Sequence, residues 1–256
     1  ERMGYNFHMA VPKNAKQQGN LKLILIGHGL FGTGASMLES DDPDHILYAW
    51  ANDMNAILVA TDWIGLSGGD RDLIISEVLP NLNRVRVVTD RLVQSHANNL
   101  ALVEMALTSL TSNEVLPVSH DEPLIDENQI FYYGISLGGI QGAGTTTISD
   151  RISRSVLAVP GAGWAHLIQR STQFQPLEVM FDNLYPDPLT QTLLLGAVQG
   201  FFDWSDPGNL TRIDNNSDKS LPKNEFIAFG PILITVFPDC VLLIGNLESV
   251  RTTSSK

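Results

Sequence analysis

The sequence predicts an α/β protein, a mostly parallel central sheet flanked by helices, and three features carry that prediction. Continuous apolar runs of β type recur at residues 21–26, 56–61 and 153–159, as expected of strands covered on both faces. A long stretch of helical period, residues 71–113, lies between two of the strands. The apolar, aromatic-rich run Ile130-Phe131-Tyr132-Tyr133 ends in Gly134-Ile135-Ser136-Leu137-Gly138, and helix-compatible small residues follow.

Taken in order, residues 5–11 read as a first strand closed by Pro12, and a polar turn over 14–20 leads to the central strand 21–26. That strand runs into Gly27-His28-Gly29-Leu30-Phe31-Gly32-Thr33-Gly34, a loop with two competing readings. As a dinucleotide fingerprint it needs a helix at once and an acidic residue about 20 positions on. Glu39-Ser40-Asp41-Asp42-Pro43-Asp44 interrupts such a helix, and the reading is excluded if the first helix does not begin at the loop. As an oxyanion loop of His-Gly-x-x-Gly type it would offer the Leu30 N–H, paired with that of Leu137. In that loop His28 shapes the turn by hydrogen bonding and does not transfer protons. Residues 45–55 form a helix and 56–61 the next strand, which ends in Asp62-Trp63-Ile64-Gly65-Leu66-Ser67-Gly68-Gly69-Asp70. This turn either shapes the rim of a site, with Trp63 as a wall, or is purely structural. The helical stretch 71–113 breaks at Pro80, and His96, among Gln94, Asn98 and Asn99, reads as a surface histidine.

Beyond the strand 153–159 the chain makes an excursion, a helical insertion over 164–224 that reads as a cap or an ordinary packed insertion. It holds a helix over 188–204 and a polar loop from 206 to 224. Two apolar runs, 232–237 and 241–244, flank Pro238-Asp239-Cys240 and read as strands; Pro231, Pro238 and Asp239 argue against a membrane span there.

Chemistry concentrates at Ser136. Strand, sharp turn and helix form the context a serine nucleophile elbow requires, and the flanking glycines let strand and helix approach without a Cβ clash. A helix beginning after the serine aims free N–H groups at a developing oxyanion. The bland alternative is a glycine-rich turn with no chemistry.

Composition bounds the function. The chain has 256 residues, which fits a single domain over 1–256, and a net charge of −12, which opposes a nucleic-acid or anionic-membrane partner. One cysteine, Cys240, excludes an internal disulfide and a cysteine-rich zinc site. No cofactor and no metal cluster are expected. The chain starts at Glu1 without an initiator Met, which implies a removed leader or a longer product. Asn209-Leu210-Thr211 and Asn215-Asn216-Ser217 fit the glycosylation acceptor pattern, and an extracytoplasmic location is preferred.

These residues resemble the α/β-hydrolase superfamily, in particular serine esterases and lipases. The resemblance rests on His28-Gly29-Leu30-Phe31-Gly32, Asp62-Trp63-Ile64-Gly65-Leu66-Ser67 and Gly134-Ile135-Ser136-Leu137-Gly138-Gly139, all at strand ends in the family's order. It implies hydrolysis of a small-molecule carboxylic ester through an acyl-enzyme on Ser136, with a histidine base oriented by an acid. It also implies an oxyanion and substrate site at Leu30, Leu137, His28, Gly29 and Trp63. The family's chain order is Ser, acid, His, and here it breaks: His166 is the sole histidine after Ser136. Asp239 is the acid favoured by position, and no histidine follows it. Three explanations stand open: a missing C-terminal histidine segment, an unusual layout using His166, or a hydrolase-fold binding module without turnover.

Overall fold

The computed structural model describes residues 4–13, 15, 20–42, 45–111, 123–172, 175–214 and 225–229. Its sheet comprises β1 (Phe7–Ala10), β2 (Leu21–Gly27), β3 (Ala56–Thr61), β4 (Ile125–Ile135), β5 (Arg154–Ala158) and β6 (Glu225–Phe229), in the spatial order β1-β3-β2-β4-β5-β6. β1 pairs antiparallel with β3, and every other neighbouring pair is parallel. The predicted mostly parallel sheet is therefore present, with one antiparallel edge.

The apolar runs divide between two cores with period 2. Leu21, Leu23 and Leu25 of β2 and Ile57 and Val59 of β3 face one core, while Ile24, Ile26, Leu58 and Ala60 face the other. All six residues of β3 are buried, which is why that strand reads as an unbroken apolar run. Each fully buried aliphatic side chain contributes roughly 1.5–3 kcal/mol.

Helices cover both faces. α1 (Gly34–Leu38) and α2 (Ile46–Asp53) bury Leu38, Leu47 and Ala51 against the second core. Short helical turns at Gly68–Asp70, Arg71–Leu73, Ile74–Val78 and Leu82–Arg84 precede α3 (Arg86–Thr108), so the expected break at Pro80 holds, but continuous helix begins later than the periodicity suggested. α3 packs Val88, Leu92, Leu102, Val103 and Ala106 into the first core. α4 (Leu137–Ile148) follows β4 directly.

Residues 164–214 hold α5 (Trp164–Arg170), α6 (Gln175–Leu184), α7 (Pro188–Phe202) and α8 (Pro207–Asp214). α7 has the start signal of a capped helix: Asp187 accepts from the Thr190 N–H at 2.9 Å, and Pro188 needs no hydrogen-bond acceptor in the first turn. α8 corrects the reading of 206–224 as loop. Asp206 caps that helix by accepting from the Gly208 N–H at 2.9 Å, with Pro207 in its first turn. The runs at 232–237 and 241–244, with Asp239 and Cys240, lie outside the described residues. Among the described residues no helix is long and apolar enough to cross a membrane.

Candidate active site

Ser136 stands between β4 and α4 with φ 55° and ψ −115°, a backbone conformation that a residue bearing a Cβ rarely adopts. The turn is pinned from both sides. The Ser136 N–H donates to the Ala158 carbonyl of β5 at 2.9 Å, and the Ser136 carbonyl accepts from the Ile140 N–H at 2.9 Å as α4 begins. The serine as a residue is half-buried, and its backbone is fixed on both sides.

Glycine makes the crossing possible. A Cβ on Gly138 would collide with the backbone of Gly27 at the end of β2, and one on Gly134 would collide with the backbone of Gly138. The helix therefore lies directly on two strand ends, and the Gly138 N–H donates to the His28 carbonyl at 2.8 Å. The buried Tyr132 hydroxyl locks the same crossing by donating to the Gly138 carbonyl at 2.5 Å. Burial raises the Tyr132 pKa far above that of a free phenol, so it stays a donor.

The loop after β2 closes over the serine. A Cβ on Gly29 would stand 3.6 Å from the Ser136 Cβ and 3.9 Å from its Oγ, so the absence of a side chain at Gly29 leaves the hydroxyl open on that side. His28 is fully buried; its Nδ1 donates to the Gly29 carbonyl at 2.7 Å and its Nε2 accepts from the Trp63 N–H at 2.8 Å. Those two partners fix the neutral tautomer protonated on Nδ1, and burial holds the His28 pKa below its ordinary value. The ring joins the loop ends after β2 and β3. Among the described residues, the N–H groups of Leu30 and Leu137 have no acceptor, whereas those of Phe31, Gly32 and Gly138 do.

The structure places other expected residues differently. The Trp63 side chain is fully buried, its ring edge-on to His96 at 5.7 Å between centroids, so it packs the core instead of lining a rim; its backbone N–H serves the loop through His28. His96 is 4% exposed and thus not a surface histidine. His166 falls in α5, which starts after the loop that leaves β5. Asp239 lies outside the described residues. Among the described residues, the Ser136 hydroxyl has no hydrogen-bond partner, and no group of His, Cys, Asp and Glu could hold a metal ion.

The dinucleotide reading meets a physical obstacle. α1 does begin at Gly34, next to the glycine loop, but it spans only Gly34–Leu38. Its first N–H groups are taken: Gly34 donates to the Asp62 carboxylate at 2.7 Å and Ser36 to the Thr33 hydroxyl at 3.0 Å. A carboxylate at the helix start repels the pyrophosphate that such a fingerprint would bind.

A buried polar network escaped the sequence reading. His96 Nδ1 meets the Thr145 hydroxyl of α4 at 2.7 Å. Gln141 is fully buried on α4, and in the amide orientation that satisfies its neighbours its nitrogen donates to His96 Nε2 at 2.9 Å and to the Ser205 carbonyl at 3.0 Å, while its oxygen accepts from Trp164 Nε1 at 3.2 Å. Asp206 extends the network by accepting from the Gly163 and Trp164 N–H groups at 2.9 Å, and Gln199 donates to it at 3.0 Å. Burial pushes the His96 pKa down to about 4. The network ties the helix behind Ser136 to α3, α5 and the turn before α8. The signal available in sequence was Asp206-Pro207, a helix start.

No protein-family model and no curated protein matches this chain. Solved structures do. The chain is similar to an acetyl xylan esterase from Paenibacillus sp. R4, with 16% identity over 92% of this chain and 76% of that one, at a TM-score of 0.51. It is likewise similar to acetyl xylan esterase 1 from Thermoanaerobacterium sp. JW/SL YS485, with 15% identity over 88% of this chain and 72% of that one, at a TM-score of 0.50. The sheet order, the flanking helices and these likenesses give the chain the α/β-hydrolase fold.

Proposed function

We propose that this protein hydrolyses a small-molecule carboxylic ester through an acyl-enzyme on Ser136. The observation that carries the reading is the strained serine between β4 and α4, accessible beside the bare backbone of Gly29. Ser136 Oγ attacks the ester carbonyl as its proton passes to a base. The N–H groups of Leu30 and Leu137, free of acceptors among the described residues, hold the resulting oxyanion. Collapse expels the alcohol, which takes the proton from the base, and leaves an acyl group on Ser136. Water, deprotonated by the same base, then releases the carboxylic acid and returns the proton to Ser136.

In this reading His166, the histidine that follows Ser136, is the base and Asp239 the acid, a layout that departs from the family's order of serine, acid, histidine. His28 holds the loop and stays neutral. The helices from 164 onward form the cap of a 164–224 insertion, a role that the exposed apolar side chains Leu189, Leu193, Phe201 and Trp204 on and beside α7 support. The acetyl xylan esterases named above share the fold, and ester hydrolysis is the chemistry named for them.

A second reading, a hydrolase-fold binding module without turnover, is favoured by one observation. The Ser136 hydroxyl has no partner among the described residues, and His28 and His96 are buried with their ring nitrogens committed elsewhere. Labelling with a fluorophosphonate probe separates the two. Wild type should label and the Ser136→Ala variant should not, with p-nitrophenyl acetate hydrolysis lost in parallel. A folded wild type that neither labels nor hydrolyses the ester selects the binding module.

A further inference from the structure

We propose that Val159 sets the acyl size accepted at Ser136, restricting the site to compact, uncharged acyl groups; this rests on the ester-hydrolase reading above. The argument begins with register. The parallel ladders end at Gly27–Gly134 and Ile135–Ala158, so Ser136 and Val159 are the first residues past their paired strand ends, joined by the Ser136 N–H bond to the Ala158 carbonyl at 2.9 Å. On the β2 side a Cβ on Gly29 would stand 3.6 Å from the Ser136 Cβ. The two flanks are chemically unequal. Gly29 presents bare backbone, whereas Val159 presents an isopropyl group that is 43% exposed.

Val159 also holds φ 55°, the same φ as Ser136. For a β-branched residue this is a genuine outlier, because both γ-methyl groups crowd the backbone. Such strain persists where the surrounding structure fixes it, and it gathers at ligand clamps and active sites. Here the Ala158 carbonyl is fixed by the Ser136 N–H, and the Val159 carbonyl lies 3.4 Å from where a Cβ on Gly139 would sit. The valine side chain is not buried in return for this strain, so core packing does not account for it.

The surroundings indicate what the side chain meets. Ile135, immediately before the serine, is 38% exposed and adds a second apolar surface. The strand-end segments 134–143 and 155–165 contain no charged residue. An uncharged acyl chain can lie against such a wall, and each methylene beyond the available space is rejected sterically.

The test compares kcat/KM for p-nitrophenyl acetate, butyrate and octanoate in wild type, Val159→Ala and Val159→Gly, with fluorophosphonate labelling of each. Glycine accommodates the positive φ and alanine keeps the Cβ, so loss of folding in one variant leaves the other informative. The butyrate-to-acetate ratio should rise in the order Val, Ala, Gly, by about ten-fold or more in the glycine variant. A ratio within about two-fold of wild type, with labelling intact, overturns the role of Val159 and leaves ester hydrolysis standing. Absence of labelling and turnover in wild type overturns both.

Discussion

At Ser136 the chain holds a side-chain-bearing residue at φ 55° and ψ −115°, and the cost of such a conformation is of order 1–3 kcal/mol. Alanine keeps the Cβ and hence the strain; glycine removes both but loses more entropy on folding, by about 0.5–1 kcal/mol. Ser136→Gly should therefore be more stable than Ser136→Ala by about 1 kcal/mol, read as a higher urea midpoint at unchanged slope. Equal midpoints would limit the strain to the roughly 0.5–1 kcal/mol that glycine's entropy cost offsets, and a lower glycine midpoint would show that the turn is not strained. Single residues were unevenly legible in the sequence. The role of His28 as a loop-former was readable because a glycine-flanked histidine at a strand end has backbone groups within reach, as its two ring bonds show. His96 was not readable. Its neighbours Asn98 and Asn99 are themselves buried, so local polarity mistook an internal hydrogen-bonded layer for a solvated face.

At the scale of elements, the approach of α4 to β2 and β4 explains why glycines are spaced as they are. Gly138 has backbone of Gly27 where its Cβ would be, and backbone cannot step aside as a flexible side chain can. Gly138→Ala should cost about 3 kcal/mol or more, because the helix must lift from the strand ends and stretch the Gly138 N–H bond to His28. Chemical denaturation with far-ultraviolet dichroism measures it; a loss under about 1 kcal/mol would mean the crossing has slack. Gly196 on α7, where a Cβ meets nothing within 4 Å, is the control and should accept alanine without loss. The strands were legible for the same reason that they are stable: β2 and β3 are buried on both faces, so that apart from Lys22 near the start of β2 and Thr61 at the end of β3 no polar residue interrupts the pattern. The onset of α3 and the existence of α8 were not, since the short turns before Arg86 share helical period and α8 lies in a polar stretch whose sole start signal is the local Asp206-Pro207 cap.

At the scale of the whole molecule, stability should depend on pH through the two histidines buried as neutral rings. His96 titrates at about 4 in the fold against about 6.5 in an unfolded chain, and His28 is shifted in the same direction. The unfolded state thus binds more protons than the folded state across this window. The stabilisation is fully present above pH 6.5 and is lost as pH falls from there toward about 4, with no further loss from His96 below that. A shift of this size corresponds to about 3 kcal/mol for a group with no solvent screening. The fall in negative charge on acidification opposes it: the chain carries −12 at pH 7, and reducing that charge relieves diffuse repulsion. The local term should dominate, because protonation removes the acceptor nitrogen that Gln141 uses inside a layer with no solvent to replace it. Wild type should then lose stability between pH 7 and pH 4.5 in urea titrations. His96→Gln should be less stable than wild type at pH 7 and lose under half as much over the same interval, since its amide has no proton to gain. An equal loss in both proteins would place the acid sensitivity elsewhere and leave the buried network as a purely structural tie.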